Sequence, residues 1–196
     1  MQDYQIRFKR QTADGAEIEY GIVPGGCDVA FIKVGNGGDI AGYEGKYLKM
    51  AEALSERGFT VVCASTPIES NRQEDVDCEV LSELLRRFGD GATLSVLGNS
   101  RGGYLGAVVA SRIPQTKRLV TVNTPLMMNY QKYMRHLASI PEVEKIFVYG
   151  ECDPSFAYLP FLRSKALPCA KIVTVAGANH NFEGKLEEFI ALCELI

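Results

Sequence analysis

The chain has 196 residues, 46% hydrophobic and 23% charged, with a net charge of −3 and a pI near 5.5. This length suits one domain with a full-sized core, and the mild acidity argues against a nucleic-acid surface, which shows a basic excess. No polybasic patch, no apolar leader after the polar start MQDYQIRFKR and no run of the ~18 apolar residues needed to span a bilayer is visible. A cytoplasmic protein with no membrane partner is therefore expected.

The first elements read as two alternating strands over residues 4–9 and 18–23, joined by a turn at Ala13, Asp14 and Gly15 as an antiparallel hairpin. A more buried strand over 29–34 follows Pro24-Gly25-Gly26. Strands and helices then alternate. Tyr47, Met50, Ala51 and Leu54 carry helical spacing, and Gly58 stops that helix. Residues 59–64 form a strand, and Leu81, Leu84, Leu85 and Phe88 mark a second helix. A strand over 93–97 leads to a helix over 104–113, stopped by Pro114. Further strands are expected over 118–122, 145–149 and 171–175, and a closing helix has Leu186, Phe189, Ile190 and Cys193 on one face.

Continuous apolar strands separated by helices point to a three-layer α/β/α sandwich with a mostly parallel sheet and an antiparallel N-terminal hairpin. No repeat or linker divides the chain, so residues 1–196 are expected to form a single domain. The six cysteines are far apart and form no C-x-x-C pair, which argues for reduced thiols and against a zinc site or disulfide framework.

The segment LSVLGNSRGGYLG, residues 94–106, presents one serine between a predicted strand and a predicted helix. Gly98-Asn99-Ser100-Arg101-Gly102 fits G-x-S-x-G, in which small neighbours let the chain cross itself at a sharp turn. The helix beyond Ser100 points its free N–H groups at that turn, favouring negative charge there.

A serine hydroxyl needs a base. Of the two histidines, His180 follows the last strand, whereas His136 lies in a segment that matches no base loop. Asp153, directly after the penultimate strand, would fix the histidine's tautomer, with Glu151 as its nearby substitute. All three groups fall at carboxyl ends of strands, where functional groups gather in such a sheet. The glycine-rich loop at 35–38 is a poor dinucleotide site. The third glycine of G-x-G-x-x-G would fall on Ile40, and no ribose-binding acid follows the next strand.

The elbow at Ser100, the Gly150-x-x-Asp153-Pro154 turn and the Gly177-x-x-His180-x-Phe182 loop, in the order Ser, Asp, His, resemble the motifs of the α/β-hydrolase superfamily. The likeness runs from the opening hairpin to the last helix and is to a compact member without a large cap. It implies a serine hydrolase with Ser100 as nucleophile, His180 as base and Asp153 as orienting acid, needing no metal or cofactor. It also implies an oxyanion hole from the amides of Arg101 and Asn36. Val34 replaces the family's usual histidine in that second loop, leaving Gly37 as the neighbouring choice. The implied substrate is a small-molecule carboxylic ester, thioester or activated amide. Acyl transfer and a non-catalytic ligand-binding role remain as alternatives. Met127, Met128 and Tyr130, with Tyr133 and Met134, are expected to line one wall of an open site, unless their segment merely covers the sheet. The Arg101 side chain reads as solvated.

Overall fold

The computed structural model describes residues 3–68, 70, 72–127 and 129–196. Strands β1 (Ile6–Gln11) and β2 (Glu17–Val23) form the hairpin, with Ile6 opposite Ile22 and Gln11 opposite Glu17. The remaining strands are β3 (Val29–Lys33), β4 (Thr60–Ala64), β5 (Leu94–Asn99), β6 (Thr116–Val122), β7 (Glu144–Gly150) and β8 (Ala170–Val175). The sheet runs β1-β2-β4-β3-β5-β6-β7-β8. β2 lies antiparallel to β4, and every pair from β4 to β8 is parallel.

The strand order turns back at β3. The chain leaves β3 for β4 on one side and returns to β5 on the other, which opens a crevice beyond the carboxyl ends of β3 and β5. Ser100 follows β5, and residues 34–38 follow β3. Both loops therefore meet at that crevice.

Every residue of β3, β4 and β5 is buried, because helices cover both faces of the sheet. Helices α1 (Lys46–Glu56) and α6 (Leu186–Ala191) lie on one face, where Met50, Leu54 and Phe189 pack against Ala30, Ile32 and Leu97. Helices α2 (Gln73–Phe88), α3 (Arg101–Arg112) and α4 (Tyr130–Ala138) cover the other, where Leu81, Leu85, Val109 and Leu137 pack against Phe31 and Val96. Alternate strand residues thus feed two separate cores.

Three features add to the sequence expectation. α2 begins well before its apolar stripe, with Glu74 and Asp75 in its first turn and Arg86 and Arg87 in its last, charges that complement the helix dipole. The closing helix breaks after Ala191 into a tighter turn over Leu192–Leu195, which still buries Cys193. Finally, a 3₁₀ turn (Pro154–Tyr158) and a short helix α5 (Leu159–Arg163) fill the connection before β8. Among the described residues, no helix is long and apolar enough to cross a membrane.

Two lysines inside the strands are wholly buried. Lys33 ends β3 and pairs with Asp77 of α2 at 2.9 Å, while Tyr20 donates its hydroxyl to the same carboxylate at 2.7 Å. Lys33 also donates to the Ser65 carbonyl, holding the end of β4. Lys145 donates to the carbonyls of Ile140, Val143 and Pro168 and closes the opposite end of the sheet.

Candidate active site

Ser100 is the single residue between β5 and α3, and its backbone sits at φ 54°, ψ −124°. A non-glycine residue is strained there. Its amide donates to the Val122 carbonyl at 2.7 Å, and its carbonyl accepts from Gly103 at 2.9 Å. The turn closes because its flanks have no side chains. A Cβ on Gly98 would lie 2.2 Å from the Gly102 carbonyl oxygen, and one on Gly102 would lie 2.2 Å from that of Lys33.

The structure brings Ser100, His180 and Asp153 together. His180 Nε2 lies 3.0 Å from Ser100 Oγ, and His180 Nδ1 is hydrogen-bonded to Asp153 Oδ2. Asp153 is buried, and its other oxygen accepts from the Ser155 amide at 2.7 Å and from the Ser155 hydroxyl. Glu151 is exposed and makes no contact with the imidazole among the described residues. His136 lies on α4 and bonds to Ser111 at 2.8 Å, outside this cluster.

Asn123, fully buried at the end of β6, ties two of these loops together. Its side-chain amide donates to the carbonyls of Asn179 and His180 at 3.1 and 3.3 Å, and its oxygen accepts from the Gly150 amide at 2.8 Å. Sequence reasoning missed it. The available signal was a short polar residue directly after an apolar strand, the same setting as Ser100 and Asp153.

The loop after β3 passes against Ser100, and a Cβ on Gly35 would lie 3.3 Å from that of the serine. The Gly37 amide donates to the Thr66 carbonyl at 2.7 Å, and that of Gly38 to Gly35 at 2.9 Å. Among the described residues, the amides of Asn36 and Arg101 meet no acceptor. Of the two loop candidates, Asn36 therefore has the free N–H.

The Arg101 side chain is half-buried and bonded rather than free in solvent as expected. It donates to Asn36 Oδ1 at 2.7 Å, to the Ile68 carbonyl at 3.0 Å and to that of Ser70 at 2.9 Å, bracing the loop from below.

A cavity of about 290 Å³ opens beside Ser100 and His180, lined by Asn36, Tyr43, Lys46, Tyr47 and Asn181. Two of the residues expected to form a wall do not line this cavity. Tyr130 turns its ring edge to Phe161 of α5, with centroids 5.2 Å apart, and Met127 is 67% exposed. Tyr133 is buried in the core beside Tyr104, and Met128 lies outside the described residues. The cavity is instead built from the segment before α1 and the loop that carries His180.

No family model and no curated protein matches this sequence. Solved structures do. The chain is similar to an α/β serine hydrolase homologue from Coxiella burnetii at 22% identity and TM-score 0.72, over 97% of this chain and 96% of that one. It is also similar to Est1E from Butyrivibrio proteoclasticus at 15% identity and TM-score 0.71, over 96% of each chain. XC6422 from Xanthomonas campestris, an α/β serine hydrolase without lid, matches at 17% identity and TM-score 0.69, over 100% of this chain and 94% of that one. This chain has the α/β-hydrolase fold.

On this α/β-hydrolase scaffold the electrostatics of the cluster follow from its contacts. Burial alone would push the Asp153 carboxyl up. Hydrogen bonds from His180 and from the Ser155 hydroxyl and amide outweigh that, and its pKa falls below the ordinary carboxylate value. An ionised Asp153 only accepts, so His180 Nδ1 carries the proton and Nε2 is left to accept from Ser100. That arrangement can draw a proton from the serine hydroxyl. It can also hold an anion before the free amides of Asn36 and Arg101, the latter in the first turn of α3.

Proposed function

We propose that this α/β-hydrolase is a serine hydrolase that cleaves a small or medium carboxylic ester, or a thioester or activated amide, through an acyl-enzyme on Ser100. The observation that carries the reading is the unbroken hydrogen-bonded chain from Ser100 Oγ through His180 to Asp153 Oδ2, at the mouth of a cavity.

In this reading Ser100 Oγ attacks the carbonyl carbon as its proton passes to His180 Nε2. The resulting oxyanion is held by the amides of Asn36 and Arg101, each contributing on the order of 10²–10³ in rate. His180 then protonates the leaving group, the C–O bond breaks, and the acyl group stays on Ser100. Water, deprotonated by the same imidazole, releases the acid. Asp153 keeps its charge throughout and stabilises the imidazolium. His180 carries every proton transfer and the two amides hold the negative charge, so this reading calls for no metal or cofactor. The reading also takes the protein as cytoplasmic and the site as uncapped, with short to medium acyl chains preferred over long lipids.

Labelling with a fluorophosphonate tests it. The native protein should take up one phosphonate, on Ser100, and Ser100→Ala none. Uptake on another serine, or none on the native protein, would overturn the proposal.

A further inference from the structure

Lys46 is the first residue of α1 and lines the cavity beside Ser100, yet it is only 3% exposed. Its ammonium donates to the Asn181 carbonyl at 3.0 Å and lies 5.1 Å from the Tyr47 ring centroid and 4.8 Å from that of Phe189. Among the described residues it forms no ion pair, and its two other N–H donors meet no acceptor. The nearest acidic influence is Glu183, whose carboxylate instead takes the side-chain amides of Asn179 and Asn181.

A buried ammonium without a counter-ion is expensive, and nothing in the fold's core requires one at this place. The contrast with Lys33 and Lys145 is instructive. Those lysines have their donors taken up by Asp77 and Ser65 or by several carbonyls, and neither lines this cavity. Lys46 has one carbonyl and two ring faces, and it lines the same cavity as Ser100.

Resting on the hydrolase reading above, we infer that Lys46 is a specificity residue that receives a free carboxylate of the substrate, so that the preferred esters are monoanions. One cation in a cavity of about 290 Å³ suits a single negative charge. Asn181 and the half-exposed Tyr43 lie on the same wall and offer further polar contacts to that group. The carboxylate can sit on the acyl side, as in a half-ester of a dicarboxylic acid, or on the alcohol side, as in the ester of a hydroxy acid.

The test compares matched charged and neutral substrates: monomethyl glutarate with methyl valerate for the acyl side, and 4-acetoxybutyrate with butyl acetate for the alcohol side. Product is followed by chromatography. The native protein should favour the charged member of one pair by about tenfold or more in kcat/KM, the scale of a hydrogen bond to a charged group. Which pair shows it assigns the side. Lys46→Met, close in volume, should abolish that ratio. If Lys46 only tethers Asn181 and the His180 loop, Lys46→Met will depress both members equally and leave the ratio standing, which overturns the inference.

Should that variant fail to fold, the native protein decides alone. Burial lowers the Lys46 pKa to about 8, against the opposing effect of Glu183. The charged-to-neutral ratio should therefore fall as pH rises through that value. The other titratable groups around the cavity, His180, Tyr43 and Tyr47, act on both substrates, and taking the ratio removes their common effect. A ratio flat with pH, or no preference in a protein whose Ser100 takes up fluorophosphonate, defeats the inference and leaves the hydrolase reading intact. An unlabelled Ser100 defeats both.

Discussion

Replacing Ser100 by alanine and by glycine should invert the ordinary order of stability. Both variants lose the hydroxyl and its bond to His180, so the comparison isolates the Cβ. At a relaxed position glycine is the worse residue by about 0.4–1 kcal/mol, because its unfolded chain is freer. Ser100 sits at φ 54°, ψ −124°, where a residue with a Cβ carries a strain of about 1–3 kcal/mol. The alanine variant keeps that strain and the glycine variant sheds it. The difference leaves Ser100→Gly more stable than Ser100→Ala by about 1 kcal/mol, or roughly 2–4 °C in Tm for a chain of this size. Equilibrium urea unfolding of the two inactive variants measures it directly. If Ser100→Gly were less stable by the usual few tenths, the elbow would be relaxed and the strain argument would fail.

Asp153→Asn should lower kcat by up to about 10⁴ with little change in KM, since an amide no longer fixes the His180 tautomer. The same variant carries a pH signature. The Asp153 pKa is depressed in the folded state, so its ionisation stabilises the protein above the unfolded carboxylate value and that contribution fades as pH falls through the folded one. The stability gap between native protein and Asp153→Asn, followed by urea unfolding, should hold at neutral pH and shrink below about pH 4. Asp77→Ala should cost about 3–5 kcal/mol by leaving Lys33 without its counter-ion, and the pair Lys33→Met with Asp77→Leu should recover part of it in thermal melts, the Tyr20 hydroxyl still lacking its acceptor. Gly102→Ala forces a Cβ to 2.2 Å from the Lys33 carbonyl oxygen; it should destabilise by about 1–3 kcal/mol and slow fluorophosphonate uptake.

The sequence revealed what is encoded locally. Each of Ser100, Asp153 and His180 sits within a few residues of an apolar strand, so the pattern that marks the strand also places the side chain at its carboxyl end. The layers were legible for the same reason, since Met50, Leu54, Leu81 and Leu85 carry their period within one turn or two. What escaped depends on chain meeting chain. Lys46 lies beside an apolar stripe like any polar helix residue, and its hydrogen-bond partner is Asn181, 135 positions away. Lys33 and Asp77 pair across 44 positions, and Asn123 reaches Gly150, Asn179 and His180. The setting of Tyr130 was not legible because its neighbour lies on an element with weak periodicity. α5 has only five residues, yet its Phe161 meets the Tyr130 ring edge to face.

The two oxygens of Asp153 are assigned to different partners. Oδ1 is held by the residue that forms its own turn, Ser155, while Oδ2 alone reaches the imidazole. Rotation of the carboxylate would have to break the turn before it could follow the ring. The acid is thus a fixed pivot rather than a travelling companion. In the proposed hydrolysis, an imidazole that tilts from Ser100 toward a departing alcohol, and later toward incoming water, would swing about the Nδ1 bond with the pivot at rest. Such a pivot would return the ring to the same serine without the loop having moved.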